Sequence, residues 1–354
     1  VRRAAGALLA ALLAGAPAAR ASAEVLESVS SEAFASGSGF AESFAAVVRP
    51  EGAFETIAIP PPTLETHVLD SASAPPQPKW IWVGVGAVFA IGGSAYSAYT
   101  EEPKFPWHFT SEGWFGQNTY VGGADKASHF VSYYGVQRIL SLYNQAFHVP
   151  RNQSAWVATG TAVLAGLMTE IGDGTNKYGF SWEDLTMDTL GAFSGLAIVN
   201  FGLDDVMGFR YGFVPGSPDP ERGGLGRDYS SEIYTADLKF QGLGRRLCFD
   251  PGPAKFFLFS VTYGTKGYPY DTPEVRERQI GLEIGINFAP ILEALHVPRT
   301  KWWGAILYTL FDIVRFPYTA IGWRYDLNHD KWIGPDTGNT YPTGGLKPGA
   351  VKAR

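Results

Sequence analysis

His129 follows Asp125 by four residues in the stretch Asp125-Lys126-Ala127-Ser128-His129, so on a helix the imidazole and the carboxylate share a face, one turn apart. Further along, "EIGDG" carries Glu170 and Asp173 where two glycines stop an apolar run, and "GFSWEDLTMD" offers Ser181 as a helix N-cap with Asp184 three residues later. Asp184 and Asp188 then lie on one helical face that continues to Gly191 and Gly195, small enough for a second helix to approach closely. The spacing therefore gathers Asp125, Glu170, Asp173, Asp184 and Asp188 around one imidazole and one ammonium, Lys126. Each is flanked by apolar sequence. Buried, unpaired carboxylates cost several kcal/mol apiece, so the cluster must be neutralised by protons, by Lys126 or His129, or by a cation.

Two chemistries suit that set. Oxygen donors with one imidazole fit a divalent metal ion, for which His129, Glu170, Asp173 and Asp188 are the candidate ligands, and an Asp–His pair can move protons. Taken singly, the residues also have plainer roles: Asp125 can begin a helix, Asp184 can complete a cap, and His129 can be a core histidine bonded to a carboxylate. Capping leaves Glu170 and Asp188 without a purpose, and that favours a shared polar site. Ser128 adjoins His129 in sequence and so faces elsewhere on a helix. There is no nucleophile elbow, no HExxH and no cysteine-based metal spacing. His108, in the aromatic run "KFPWHFTSEGWF", is read as a packing residue rather than a contact to a lipid headgroup.

The elements that must position these groups follow from period. Segments 80–99, 125–147, 154–171 and 182–201 have helical patterning, which predicts a four-helix bundle over residues 80–205. Trp80 to Tyr99 is uncharged and of bilayer-spanning length, but suits a packed core helix equally. Beyond the four helical segments the period changes to two. "RQIGLEIGINFAP" sets Ile280, Leu282, Ile284 and Ile286 against Gly281, Glu283, Gly285 and Asn287, and "EIYTADLKFQ", "KFFLFSVTYG" and "YTAIGWRYDL" alternate similarly, with a short amphipathic helix near 302–314. Four or five antiparallel strands with one apolar face are expected over residues 206–333, packed on the helices or on a membrane surface. An outer-membrane barrel needs at least eight strands and is disfavoured. The fold class is α+β.

At 354 residues and 45% apolar content the chain has room for two such regions. A net charge of -6 argues against a nucleic-acid partner. "VRRAAGALLAALLAGAPAARASA" has the order of a secretory signal: arginines, a short apolar run, and Ala19 and Ala21 as a small-residue cleavage site, so residues 1–23 are read as a signal peptide for Sec export. No cysteine stands just after the cleavage region, so lipid anchoring is not expected. Cys248, the sole cysteine, is expected to be a small packing or strand-end residue. Residues 24–79, rich in Ala, Ser and Pro, read as a flexible tether, and 334–354 as a loose tail.

The ordered motifs "DKxxH" at Asp125 to His129, "EIGDG" at Glu170 to Gly174, and "GFSWED" at Gly179 to Asp184 with Asp188 and Gly191 after it resemble the YfiM-like family of periplasmic lipoproteins of undefined function and, more distantly, the VanZ-like envelope proteins. The resemblance spans roughly residues 100–330 and includes a strand-rich extension. It implies an envelope location, in the periplasm or at the outer membrane of a Gram-negative bacterium, and no reaction. The chain departs from it in lacking the lipobox cysteine and in having Asp188 where VanZ-like proteins tend to have Asn. The first functional expectation is therefore an exported, membrane-associated protein whose polar cluster organises the fold or binds a cation or polar headgroup. Its partners would be a membrane lipid surface and, through self-association, a homo-oligomer. The alternative is a metal-dependent or acid/base hydrolase acting on a lipid or phosphoester.

Overall fold

Helix α1, Trp80–Thr100, has no charged residue, and most of its large side chains, among them Ile81, Val88, Phe89 and Tyr96, are exposed. The computed structural model describes residues 76–213, 229–268 and 276–337; the stretches read from sequence as a signal peptide and, but for its last residues, a tether, most of the loop after Phe213 and the residues beyond Thr337 lie outside them. Helix α2, Ala124–Ala146, is introduced by a 3-10 turn, Tyr120–Gly123. Gly123 ends that turn with a φ of 88°, and a Cβ there would stand 2.7 Å from the Phe115 Cα, so the chain can enter α2 at this angle only through glycine. Helices α3, Arg151–Asp173, and α4, Trp182–Asn200, complete the helical half. Both α1 and α3 are long and apolar enough to cross a membrane. They differ in that half of the apolar window of α3 is buried by its neighbours, against 11% for α1.

The helices meet through small side chains. Ala162 and Ala165 of α3 and Ala192 of α4 pack with Tyr133 of α2, which brings the backbones close and lets polar groups on facing sides touch. Two very short strands, β1 (Phe109–Thr110) and β2 (Phe180–Ser181), pair in parallel and tie the loop before α2 to the start of α4.

The second half is a seven-stranded sheet in the order β7-β3-β4-β5-β6-β8-β9. Its strands are β3 Met207–Phe213, β4 Glu232–Lys239, β5 Phe257–Lys266, β6 Glu277–Ile286, β7 Val314–Arg315, β8 Ala320–Asp326 and β9 Lys331–Asp336. All neighbours are antiparallel except β3 with β7. Short helices α5 (Phe240–Arg246), α6 (Phe288–Ala294) and α7 (Trp302–Ile313) join them. The α+β class holds, and the four strands recognised by alternation are β4, β5, β6 and β8. Seven strands replace the four or five expected, for identifiable reasons. In β3, Gly208 and Gly212 dilute the alternation. Strand β7 is two residues long. Strand β9 contains Gly334 and Pro335, which read as the start of a tail but are tolerated on an edge strand. Cys248 also differs from expectation, being exposed after α5 at a φ of 56° rather than packed.

The polarity of the sheet is the larger departure. On β6 the buried residues are Gln279, Gly281, Glu283 and Gly285, while Ile280, Leu282 and Ile284 are exposed. Strand β8 repeats this, burying Gly322, Arg324 and Asp326 and exposing Ile321 and Trp323. Register places Ile284 beside Ile321 and Leu282 beside Trp323, so the exposed apolar residues form one stripe. Among the described residues, cover lies at the β3–β5 end of the apolar face, where Phe209, Tyr234 and Tyr263 pack with Ala124, Ala127, Phe130 and Val131 of α2. The polar face curls inward. Arg315 on edge strand β7 bonds Glu283 of β6 at 2.8 and 3.0 Å and donates to the carbonyl of Thr337, just past the opposite edge strand, at 2.8 Å. Arg210 pairs with Asp237, which Ser260 also bonds at 2.7 Å. Strand-spaced glycines make room for these long side chains: a Cβ on Gly281 would lie 2.7 Å from Arg324, and one on Gly322 2.6 Å from Glu283.

Candidate functional site

Helices α2, α3 and α4 deliver the cluster. Asp125 and Lys126 stand in the first turn of α2, where the helix dipole favours the carboxylate, and His129 follows one turn on. Ser181 caps α4 by accepting the Asp184 backbone N–H at 3.2 Å. The expected reciprocal bond is replaced. Glu170, at the end of α3, accepts the Ser181 N–H through Oε2 at 3.0 Å, which frees the Asp184 carboxylate to turn toward Lys126. Asp188 lies one turn further along α4, where Gly166 of α3 leaves the space for it: a Cβ there would sit 2.6 Å from Asp188 Oδ2.

The groups divide around His129. On one side Lys126, fully buried, pairs with Glu112 at 2.5 Å, Asp125 at 2.8 Å and Asp184 at 2.5 Å. Tyr229, just before β4, donates to Asp125 at 2.7 Å and links the sheet half to the cluster. On the other side His129 Nδ1 lies 2.8 Å from Asp188 Oδ1, and its Nε2 lies 3.7 Å from Asp125 Oδ1. Glu170 and Asp188 each keep one buried oxygen, Oε1 and Oδ2, with no hydrogen-bond partner. Asp173, also drawn into the set by sequence, bonds Asn176 at 2.7 Å in the turn after α3. Ligand atoms that converge within 4.8 Å of one another come from Asp125, His129 and Asp184, and from His129, Glu170 and Asp188.

Burial sets the electrostatics. It pushes Glu112 up to about 8, with Asp125 adding and Lys126 opposing, and pushes Glu170 up to about 9. Asp184 and Asp188 are raised for the same reason. Burial alone would depress the His129 imidazole, but Asp188 and Asp125 hold it well above its ordinary value. Asp125 is the exception among the acids. Burial would raise it, and His129 and Lys126 together bring it below the usual carboxylate range. The cluster thus has one firmly ionised acid, two firmly charged cations, and four acids whose ionisation is opposed.

Glu112 and Tyr229 escaped the sequence reading. Glu112 reaches the cluster because the β1–β2 pair holds its loop against α4, a contact between positions some seventy residues apart. Tyr229 belongs to the other half of the chain. Ser128, set aside as a nucleophile, bonds Tyr234. The His108 side chain donates locally, from Nδ1 to the Pro106 carbonyl at 3.0 Å.

The segment that builds this site is the one with known kin. Residues 111–200 match the model of a family described as predicted periplasmic lipoprotein (DUF2279). That match spans Glu112, α2, α3 and α4, all of the cluster except Tyr229, and supports an envelope protein of undefined function. No curated protein and no solved structure matches the chain. The finer YfiM-like and VanZ-like likenesses have no counterpart among these matches.

Proposed function

We propose that the chain is an exported envelope protein seated in a membrane through its apolar outer surface, non-catalytic, with the helix-end cluster as its polar centre. The observation that carries this reading is the polarity of the sheet. Charged pairs and glycines occupy the inner face of β6 and β8, while Ile280, Leu282, Ile284, Ile321 and Trp323 face outward with no cover among the described residues. In water that arrangement is upside down, because apolar area stays hydrated while ions are desolvated. Against lipid both terms change sign, as they do for the lipid-facing and lumen-facing residues of membrane barrels. The uncovered face of α1 and Trp302 and Trp303 on α7 extend the apolar surface, with tryptophans of the kind that favour a membrane–water interface. The secretory pattern at residues 1–23 is the basis for Sec export, and the outward apolar stripe of the sheet for choosing the outer membrane within the envelope.

Expression of the full chain in a Gram-negative host followed by fractionation tests the proposal. The protein is expected in the membrane pellet after alkaline carbonate washing, and the triple change Leu282→Asn, Ile284→Asn, Trp323→Gln is expected to release much of it. A detergent-free, soluble protein, whether monomeric or paired through this stripe with a second copy, would contradict it.

A further inference from the structure

The described residues contain three groupings of histidine and carboxylates tight enough for a metal ion, and their surroundings separate them. Glu277, Asp326 and His329 already face a cation, since Lys331 lies 3.0 Å from Glu277 and 3.6 Å from Asp326. Asp125, His129 and Asp184 share Lys126, at 2.8 and 2.5 Å from the two carboxylates. The third grouping, His129 with Glu170 and Asp188, has no lysine or arginine. We propose that His129, Glu170 and Asp188 bind one divalent cation of the zinc or manganese class.

Three observations carry the proposal. First, Glu170 and Asp188 are 1% and 0% exposed, and each holds an oxygen with no partner. A buried acceptor left bare costs about 1–3 kcal/mol, more when it is charged, so two of them in one grouping call for a positive ligand. Second, the geometry is close to that of a bound site. Donors about 2.1 Å from a tetrahedral metal stand roughly 3.4 Å from one another; the ligand atoms here lie within 4.8 Å, a gap that side-chain rotation closes. Third, the basic side chains nearby are already committed. Glu112, Asp125, Asp184, Glu170 and Asp188 face only Lys126 and His129, and Lys126 is taken up by the first three.

The remaining features fit a cation with an entry path. His129 is the most accessible member, with 20% of its side chain exposed, so an ion can arrive along the imidazole. The Ser181 N–H holds Glu170 by its other oxygen, and Gly166 leaves space beside Asp188 Oδ2. On binding, the ion takes the place of the proton now shared between His129 Nδ1 and Asp188 Oδ1 and of the proton that burial keeps on Glu170, and both leave to solvent. An imidazole and two carboxylates suit zinc or manganese better than calcium, and three protein ligands leave a coordination position for water or an anionic oxygen. The inference stands on the cluster alone and does not depend on lipid contact.

The test uses the full-length protein in detergent, stripped with chelator and titrated separately with zinc and manganese. One ion per chain is expected, together with a higher melting temperature. Glu170→Gln should weaken binding at least tenfold, whereas Asp173→Asn, which bonds Asn176 and lies outside the triad, should bind as the unaltered protein does. Absence of binding by both metals, equal loss in the two variants, or full binding by Glu170→Gln overturns the assignment. If Glu170→Gln does not fold, pulsed electron paramagnetic resonance of the manganese-loaded protein decides: nitrogen coupling from a bound imidazole supports the site, and its absence refutes it.

Discussion

Gly191 is where α4 crosses α2, and replacing it with alanine should uncouple His129 from Asp188. A Cβ at Gly191 would stand 2.1 Å from the carbonyl oxygen of Phe130 and 3.0 Å from the Tyr134 nitrogen, both backbone atoms that no rotamer change can move. Ordinary contact needs about 3.5 Å, so the helices must part by roughly 1 Å. Phe130 adjoins His129, and Asp188 lies one turn before Gly191 on the same face. The displacement would therefore stretch the 2.8 Å contact between Nδ1 and Oδ1 beyond hydrogen-bonding range. Overpacking costs about 1–3 kcal/mol where side chains can yield, and a backbone clash belongs at or above the top of that range. For a unit of this size the melting temperature should fall by roughly 6–12 °C. Nitrogen-detected NMR of the imidazole would follow the bond itself, since its loss removes much of what raises the His129 pKa. Gly160→Ala is the control: its Cβ would meet nothing within 4 Å, and it should stabilise α3 by up to about 1 kcal/mol. A Gly191→Ala protein as stable as the parent, with an unchanged His129 titration, would refute the reasoning.

Asp237→Ala should destabilise the sheet by about 3–5 kcal/mol by leaving buried Arg210 without its carboxylate, and Arg210→Met with Asp237→Leu should recover most of the loss; both are read by chemical denaturation. Stability should also depend on pH through Glu112. Its folded pKa near 8 exceeds the ordinary carboxyl value of 4.5, so the folded state holds the extra proton, and stability falls by up to about 1.4 kcal/mol per pH unit between those limits before levelling off. Denaturation midpoints from pH 5 to 9 should show that decline, less steep in Glu112→Gln. Lys126→Met removes the ammonium that faces three carboxylates, and should lower the melting temperature more at pH 8 than at pH 5, where those acids can take up protons.

Much of this architecture was legible in the residues. Helical period and the Ser181 cap gave α2, α3 and α4 to within a few residues, and spacing by three and four put Asp125 with His129 and Asp184 with Asp188. Alternation on β6 identified which side chains share a face. It could not say which face is covered, because period two is the same for a sheet turned either way. That choice is made by Arg315 reaching Glu283 across the curl and by α2 covering one end of the apolar face, contacts between distant parts of the chain. Glu112 was out of reach for the same reason: its approach to Lys126 depends on two-residue strands that leave almost no pattern. The two-residue β7 and the glycine-diluted β3 were hidden because their local sequence has little strand character of its own.

Spin labels on the outward face of the sheet test the central claim most directly. In a Cys248→Ser background, Ile280→Cys, Leu282→Cys, Ile284→Cys, Ile321→Cys and Trp323→Cys would each carry a nitroxide in protein reconstituted into bilayers. Oxygen concentrates in hydrocarbon and a polar nickel chelate stays in water, so relaxation at all five sites should favour oxygen if the stripe faces lipid. Relaxation favouring nickel at these sites would mean that the apolar face meets water, and the account of a membrane-seated protein would be wrong.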